Sequence, residues 1–235
     1  MGVAEIVYPP VIGVAYIAFA GLGLKVHVEG GEHIPRTGGV VLASNHVSYL
    51  DFIFVGFGAR PSRRLVRFMA KESVFRHPVA GPLMRGMKHI PVDRASGLAS
   101  YSQAVAALRA GEAVGVFPEA TMSRSFEPKA FKSGAVRMAV EAQVPLVPMA
   151  VWGTQRMYCY DKRASLTQRG VPVQIHVGAP VDPGGDPQAA TARLRSAVID
   201  LVGQAQQAYP DDGTGQWWQP ARLGGTAPQP EFDLP

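Results

Sequence analysis

Hydrophobic and polar positions along this chain switch between two spacings, two residues and about 3.6 residues, and the switches divide it into short strands and longer helices. Residues 25–29 (KVHVE) alternate polar with apolar side chains and predict a half-buried strand. Residues 40–43 (VVLA) are uninterruptedly apolar, the pattern of a strand covered on both faces. Further strands are predicted at 65–70, 89–92, 113–117, 146–151 and 171–177. Between them lie helical stretches. Residues 45–59 read as a loop running into a helix, and 78–85 as a short helix. In 98–109, Leu98, Tyr101, Val105 and Leu108 share one face, and Gly111 marks the stop. Residues 133–143 and 189–208 complete the set, the latter with Leu194, Val198, Leu201 and Val202 on its apolar side. Strands alternating with helices predict an α/β domain with a mixed, largely parallel sheet covered by helices.

The two ends differ from this body. Residues 11–24 are apolar and uncharged, and Tyr8-Pro9-Pro10 ahead of them suits a helix start. A helix of that length spans about 21 Å, short of a hydrocarbon core of about 30 Å. Residues 1–24 are therefore expected to form an apolar helix that associates with a membrane by dipping into one leaflet; packing on the domain is the other reading. Residues 25–208 form the expected globular domain, and 209–235, rich in Pro and Gly, a flexible tail. Trp217 and Trp218 in that tail suit either a bilayer interface or packing onto the domain.

Composition narrows the picture only partly. Among 235 residues, 47% are hydrophobic and 17% charged, which supports a sizeable core and argues against wholesale disorder. The net charge of +5 favours an anionic partner without choosing among a phosphorylated substrate, a lipid surface and nucleic acid. Arg63, Arg64, Arg67 and Lys71 concentrate that charge, as a lipid-facing cluster or a solvated strand edge. No recognised nucleic-acid motif accompanies them. Cys159 is the single cysteine, so no disulfide closes within the chain. His27, His33, His77, His89 and His176 show no metal-ligand spacing, and no metal site is expected.

Four segments carry candidate chemistry. Asn45-His46-Val47-Ser48-Tyr49-Leu50-Asp51 follows the buried strand directly, at the carboxyl end where α/β sheets build their sites. His46 suits a general base, the role for which imidazole is the commonest side chain; Asp51 can fold back to fix its tautomer. No Gly-x-Ser-x-Gly turn supplies a nucleophile, so the simplest nucleophile is a substrate hydroxyl. Phe117-Pro118-Glu119-Ala120-Thr121 ends another strand and could bind a polyol or orient a second loop. Ile90-Pro91-Val92-Asp93-Arg94 offers a guanidinium for phosphate. Val144-Pro145-Leu146-Val147-Pro148 reads as a core strand framed by prolines.

In this order and spacing the four segments resemble the lysophosphatidate acyltransferase-like (glycerolipid acyltransferase) family. Asn45, His46 and Asp51 match its Asn-His-x4-Asp motif; Val92, Asp93 and Arg94 its second motif; Phe117, Pro118, Glu119 and Thr121 its Phe-Pro-Glu-Gly-Thr; and Val144, Pro145 and Pro148 its last, with Ala70-Lys71 between the first two. The resemblance covers roughly residues 25 to 180 and implies a His46–Asp51 dyad that deprotonates the hydroxyl of a lysophospholipid acceptor, which attacks the thioester of acyl-CoA or acyl-carrier protein. It implies acceptor binding by Asn45, Lys71, Arg94, Glu119, Thr121 and Arg124, no cofactor, and a place at the cytoplasmic face of the cell membrane as a peripheral or monotopic protein. A non-catalytic lipid-binding module and a thioesterase or lysolipid hydrolase are the competing readings. Two positions depart from the pattern: the third motif's Gly is Ala120, and the Arg that often follows the Thr is Met122, with Arg124 two residues on. At Ala120 the Gly-specific backbone is either not required or altered.

Overall fold

The structure, a computed structural model, describes residues 5–93, 97–160 and 168–230. Seven strands among them form one sheet: β1 (Lys25–Glu29), β2 (Val40–Ser44), β3 (Val66–Lys71), β4 (Ile90–Val92), β5 (Ala113–Val116), β6 (Leu146–Trp152) and β7 (Pro172–Val177). Their spatial order is β1-β7-β6-β2-β5-β3-β4. β6, β2, β5, β3 and β4 all run parallel, whereas β7 pairs antiparallel with β6 and carries β1 parallel to itself. The predicted mixed, largely parallel sheet is therefore present, and its consequence is positional. The carboxyl ends of β6, β2 and β5 lie side by side at the centre of one edge, with those of β3 and β4 beyond.

Helices cover both faces because the central strands are apolar in both directions. Val41 and Ala43 point into one core with residues of α5 (Gly97–Arg109), α6 (Gly134–Ala142) and α7 (Pro187–Gln207). Val40 and Leu42 point into the other, packed by α2 (Asp51–Gly58). Helix α2 approaches the sheet so closely that a Cβ on Gly58 would lie 2.7 Å from Met149 Cε and 2.8 Å from Ile175 Cγ2. Two short helices, α3 (Glu72–Phe75) and α4 (Ala80–Gly86), replace the single one predicted between β3 and β4.

The N-terminal apolar run forms helix α1 (Tyr8–Gly21), starting at the Pro pair three residues earlier than the uncharged run suggested. No helix among the described residues is long and apolar enough to cross a membrane. One side of α1 packs on the domain: Phe19 stacks on Phe54, and Val11 and Ile12 meet a cluster of Phe75, Met84 and Met87. Val14 and Ile17 stay exposed.

Two expectations change. Arg67 is not part of a solvated basic cluster. It is buried, and its guanidinium binds Glu112 and the Met87 carbonyl and meets Glu5 at 2.5 Å. Arg64 likewise turns inward onto the carbonyls of Pro35, Gly38 and Gly111. The expected loose tail is also corrected through residue 230. Trp218 is only 4% exposed and joins Val47, Phe126, Trp152 and Ala205 in a third apolar cluster. Two large indoles gain more from burial than the glycines and prolines around them lose in chain freedom.

Candidate active site

The site grows from the carboxyl edge of the central strands. β2 ends at Ser44, and the chain turns through Asn45, His46, Val47 and Ser48 into α2, whose first residue is Asp51. Asp51 is wholly buried and accepts four hydrogen bonds. Oδ2 takes the main-chain N–H groups of Val47 and Ser48, both at 2.7 Å, and lies 2.9 Å from His46 Nδ1; Oδ1 takes the Thr154 hydroxyl at 2.6 Å. A carboxylate so placed at a helix start stabilises the turn and fixes the ring. Because Oδ2 can only accept, the His46 proton is assigned to Nδ1, which leaves Nε2 with a free lone pair. The His46 ring stacks on Phe117 with centroids 4.3 Å apart and planes at 18°, and its side chain is 21% exposed.

From β5 comes Glu119. Its Oε1 accepts the His46 N–H at 2.8 Å and its Oε2 the Lys129 N–H at 3.1 Å. Burial pushes its carboxyl up to about 7, against the pull of those two N–H donors and of His46. Ser123 N–H returns to the His46 carbonyl at 2.8 Å, so the third motif holds the first through the main chain on both sides. Ala120, between Glu119 and Thr121, has φ = +61°. The left-handed backbone of a glycine is thus kept here, and the alanine carries the strain.

The remaining predicted residues separate by role. Asn45 is buried, with its amide exchanging both hydrogen bonds with Val151 on β6, at 2.8 and 3.0 Å. That corrects its expected place on the substrate: it locks β2 to β6. Lys71 is exposed at the end of β3, in register with Val92 on β4. The chain continues from there to Asp93 and Arg94, and Arg94 lies outside the described residues. Thr121 is exposed and accepts from Lys129 Nζ at 3.0 Å. The Arg124 guanidinium sits 3.8 Å over the Tyr160 ring. A groove of about 1470 Å³ adjoins Thr121, Ser123 and Arg124, although neither His46 nor Asp51 lines it.

Sequence reasoning missed Thr154; it noted Ser48 and Lys129 by their positions but assigned neither the role that the structure shows. Ser48 Oγ donates to the Tyr158 carbonyl at 2.6 Å and accepts Leu50 N–H, holding the loop between the dyad partners. Thr154 had one legible signal, its position just beyond the third parallel strand of the central group.

These features define a class: a three-layer α/β domain whose strand ends bring a partly exposed, carboxylate-oriented histidine to solvent. The family model described as Acyltransferase matches residues 25–152, and the chain belongs to that family. A 1-acyl-sn-glycerol-3-phosphate acyltransferase of Borreliella burgdorferi is 29% identical over 164 residues, 68% of this chain and 63% of that protein. A protein of the same name from Bacillus subtilis is 35% identical over 132 residues, 56% of this chain and 63% of that one. The chain thus spans somewhat less than two thirds of the length of these curated relatives. The crystal structure of the 1-acyl-sn-glycerophosphate acyltransferase PlsC from Thermotoga maritima superposes with a TM-score of 0.68 at 26% identity, covering 87% of this chain and 81% of that one.

Proposed function

We propose that this protein transfers a fatty acyl group from a thioester, acyl-CoA or acyl-carrier protein, to the free hydroxyl of 1-acylglycerol-3-phosphate or a related lysophospholipid. The observation that carries the reading is the 2.9 Å contact between His46 Nδ1 and a wholly buried Asp51 in a chain of the Acyltransferase family. His46 Nε2 takes the acceptor's hydroxyl proton as the oxygen attacks the thioester carbonyl. The tetrahedral intermediate collapses, the C–S bond breaks, and the thiolate leaves with the proton returned by His46. Asp51 stabilises the imidazolium that forms in between. A thioester is activated enough that positioning and a base suffice, so the reading needs no cofactor.

Lys71, exposed at the end of β3, is assigned the acceptor's phosphate; the resemblance adds Arg94, which lies outside the described residues. The acceptor is a membrane lipid, and the exposed Val14 and Ile17 on α1 give the domain an apolar face to set against one leaflet. The protein is accordingly proposed to work as a peripheral or monotopic protein on the cytoplasmic face of the cell membrane. The test is thiol release from palmitoyl-CoA with and without lysophosphatidic acid, for wild type and His46→Ala. Release that needs the acceptor and disappears in the variant supports the reading; equal release without acceptor makes the protein a thioesterase.

A further inference from the structure

The His46–Asp51 pair is held by the connections that leave three strands. Residues 45–50 lead from β2 to α2, residues 117–133 lead from β5 to α6, and the third connection follows β6. Each supplies one tie. Val47 N–H reaches Asp51 Oδ2 at 2.7 Å, Ser123 N–H reaches the His46 carbonyl at 2.8 Å, and the Thr154 hydroxyl reaches Asp51 Oδ1 at 2.6 Å. Connections of this kind are more mobile than the elements they join, so the dyad is only as fixed as whatever packs against all three.

The C-terminal segment does so, and it lies beyond the residues 25–152 that the family model matches. The Trp218 side chain shares an apolar cluster with Val47 of the first connection and Phe126 of the second. Trp217 sets its ring edge-on to Phe126, with centroids 6.2 Å apart, and Arg222 pairs with Glu127. The ties to the third connection are polar. Gln155, next to Thr154, donates to the Trp218 carbonyl at 3.3 Å, and the Arg156 guanidinium lies 4.6 Å over the indole. The segment thus touches each connection within three residues of the group that holds the dyad. Val47 is the shortest of these links: it is 1% exposed, its side chain lies in the indole's cluster, and its own N–H is on Asp51.

We propose that Trp218 is a positioning residue for the His46–Asp51 dyad, acting through Val47, so that the C-terminal segment serves the reacting centre as well as the fold. A void left at Trp218 is filled in part by movement of what lines it. Trp152 on β6 and Ala205 on α7 are fixed by their elements, whereas Val47 belongs to a connection. A shift of Val47 draws its N–H away from Asp51 Oδ2, the same atom that meets His46 Nδ1. Rates are steep in such displacements: about 1 Å costs on the order of 10²-fold. The consequence for rate rests on the acyl-transfer reading; the consequence for the histidine ring does not.

Two readouts separate positioning from mere support of the fold. Long-range proton–nitrogen spectra of the His46 ring, at a pH that keeps it neutral, read its tautomer from carbon-bound protons and need no turnover. Kinetics with palmitoyl-CoA and lysophosphatidic acid read kcat and KM, at a temperature where circular dichroism shows each variant folded. In Trp218→Leu, kcat falls about tenfold while KM stays within about twofold, and the ring, held as the Nδ1–H tautomer in the wild type, becomes a mixture. In Trp218→Phe, the change that least endangers the fold, both readouts move in the same sense by a smaller step. Val105→Ala in α5 opens a void in a separate core, and it lowers stability while leaving both readouts at their wild-type values. A folded Trp218→Leu or Trp218→Phe that keeps the wild-type tautomer or the wild-type kcat overturns the proposal. So does an equal loss in Val105→Ala, or a wild-type ring protonated at Nε2. A tautomer that follows Trp218 in a protein that transfers no acyl group sustains the positioning and sinks the acyl-transfer reading instead.

Discussion

The carboxylate of Glu119 accepts the main-chain N–H of His46 at 2.8 Å, so the acid of the third motif acts on the histidine of the first through the backbone. The same group holds Lys129, ten residues further along its own loop, and is 5% exposed. Burial raises its carboxyl from the usual 4.5 to about 7. Between those values the folded protein holds the proton more tightly than the unfolded chain, so this group's contribution to stability is complete below about 4.5 and is lost as the pH rises through about 7. Urea midpoints for wild type and Glu119→Gln, measured from pH 4.5 to 8, should converge or cross with this sign. Parallel profiles would mean that the carboxyl titrates normally. The amide of Gln presents an NH₂ group to one of two N–H donors, so turnover should also fall by at least tenfold, the order expected when a buried donor loses its partner.

Asp51 is the most heavily bonded side chain of the site, and its replacement should cost both rate and stability. Asp51→Asn keeps the volume but turns an amide donor toward donors among His46, Val47, Ser48 and Thr154. A drop in kcat of roughly 10²- to 10⁴-fold is expected, together with loss of about 3 kcal/mol of stability. Thr154→Val removes only the hydroxyl and should cost about 1 kcal/mol with a smaller loss of rate. Equal rates for wild type and Asp51→Asn would end the dyad mechanism.

The way these residues meet explains what the sequence could and could not say. The apolar run VVLA announced a doubly covered strand, and β2 is buried throughout, so placing His46 at a strand's carboxyl end needed no structure. The order of strands was not legible, because periodicity carries no pairing information. It is the adjacency of β6, β2 and β5 that brings Thr154 to Asp51 across 103 residues and Glu119 to His46 across 73. Asn45 looked like a ligand because it precedes His46; only the β2–β6 neighbourhood reveals that both ends of its amide serve Val151. The tail misled for a related reason: Pro and Gly dominate its composition, while two tryptophans decide its packing.

Ala120 offers a stabilising substitution at a strained position. Its φ of +61° costs an L-residue roughly 1 kcal/mol relative to glycine. Ala120→Gly should raise the stability by about that amount, less the entropy that glycine adds to the unfolded chain. The measurement is a denaturation midpoint alongside kcat. A destabilised variant would show that the loop relaxes away from the left-handed conformation without penalty.

The C-terminal segment should prove integral to the domain. Trp218 is buried, the Arg156 guanidinium lies 4.6 Å over its ring, and its carbonyl accepts from Gln155. Phe126 and Met122 of the third-motif loop pack in the same cluster. Trp218→Ala should cost about 3–5 kcal/mol, the range for emptying a buried aromatic site. Thermal melts of this variant and of a chain ending at Tyr209 should both shift down. A truncated chain that melts and turns over as the whole one does would return the segment to the status of a tail.

On the reading proposed above, the exposed apolar side of α1 is the face set against a lipid surface, and substitution there tests it. Val14 and Ile17 are three residues apart, hence on one face, and are 68% and 74% exposed; Tyr16 and Phe19 turn to Phe57 and Phe54 of α2. A helix fixed to the domain by one side and apolar on the other can place its free face in a leaflet without spanning it. The double variant Val14→Glu/Ile17→Glu adds two charges where no side chain of the domain is covered, so its melting temperature should stay within about a degree or two, as for surface changes of under 0.5 kcal/mol. Its sedimentation with phosphatidylglycerol vesicles should fall at least tenfold, since each apolar side chain withdrawn from the bilayer forfeits about 1.5 kcal/mol or more. Turnover with micellar lysophosphatidic acid should survive while turnover with acceptor in vesicles collapses, because the dyad itself is untouched. Vesicle binding equal to wild type would assign α1 to packing alone and move the membrane contact to another face.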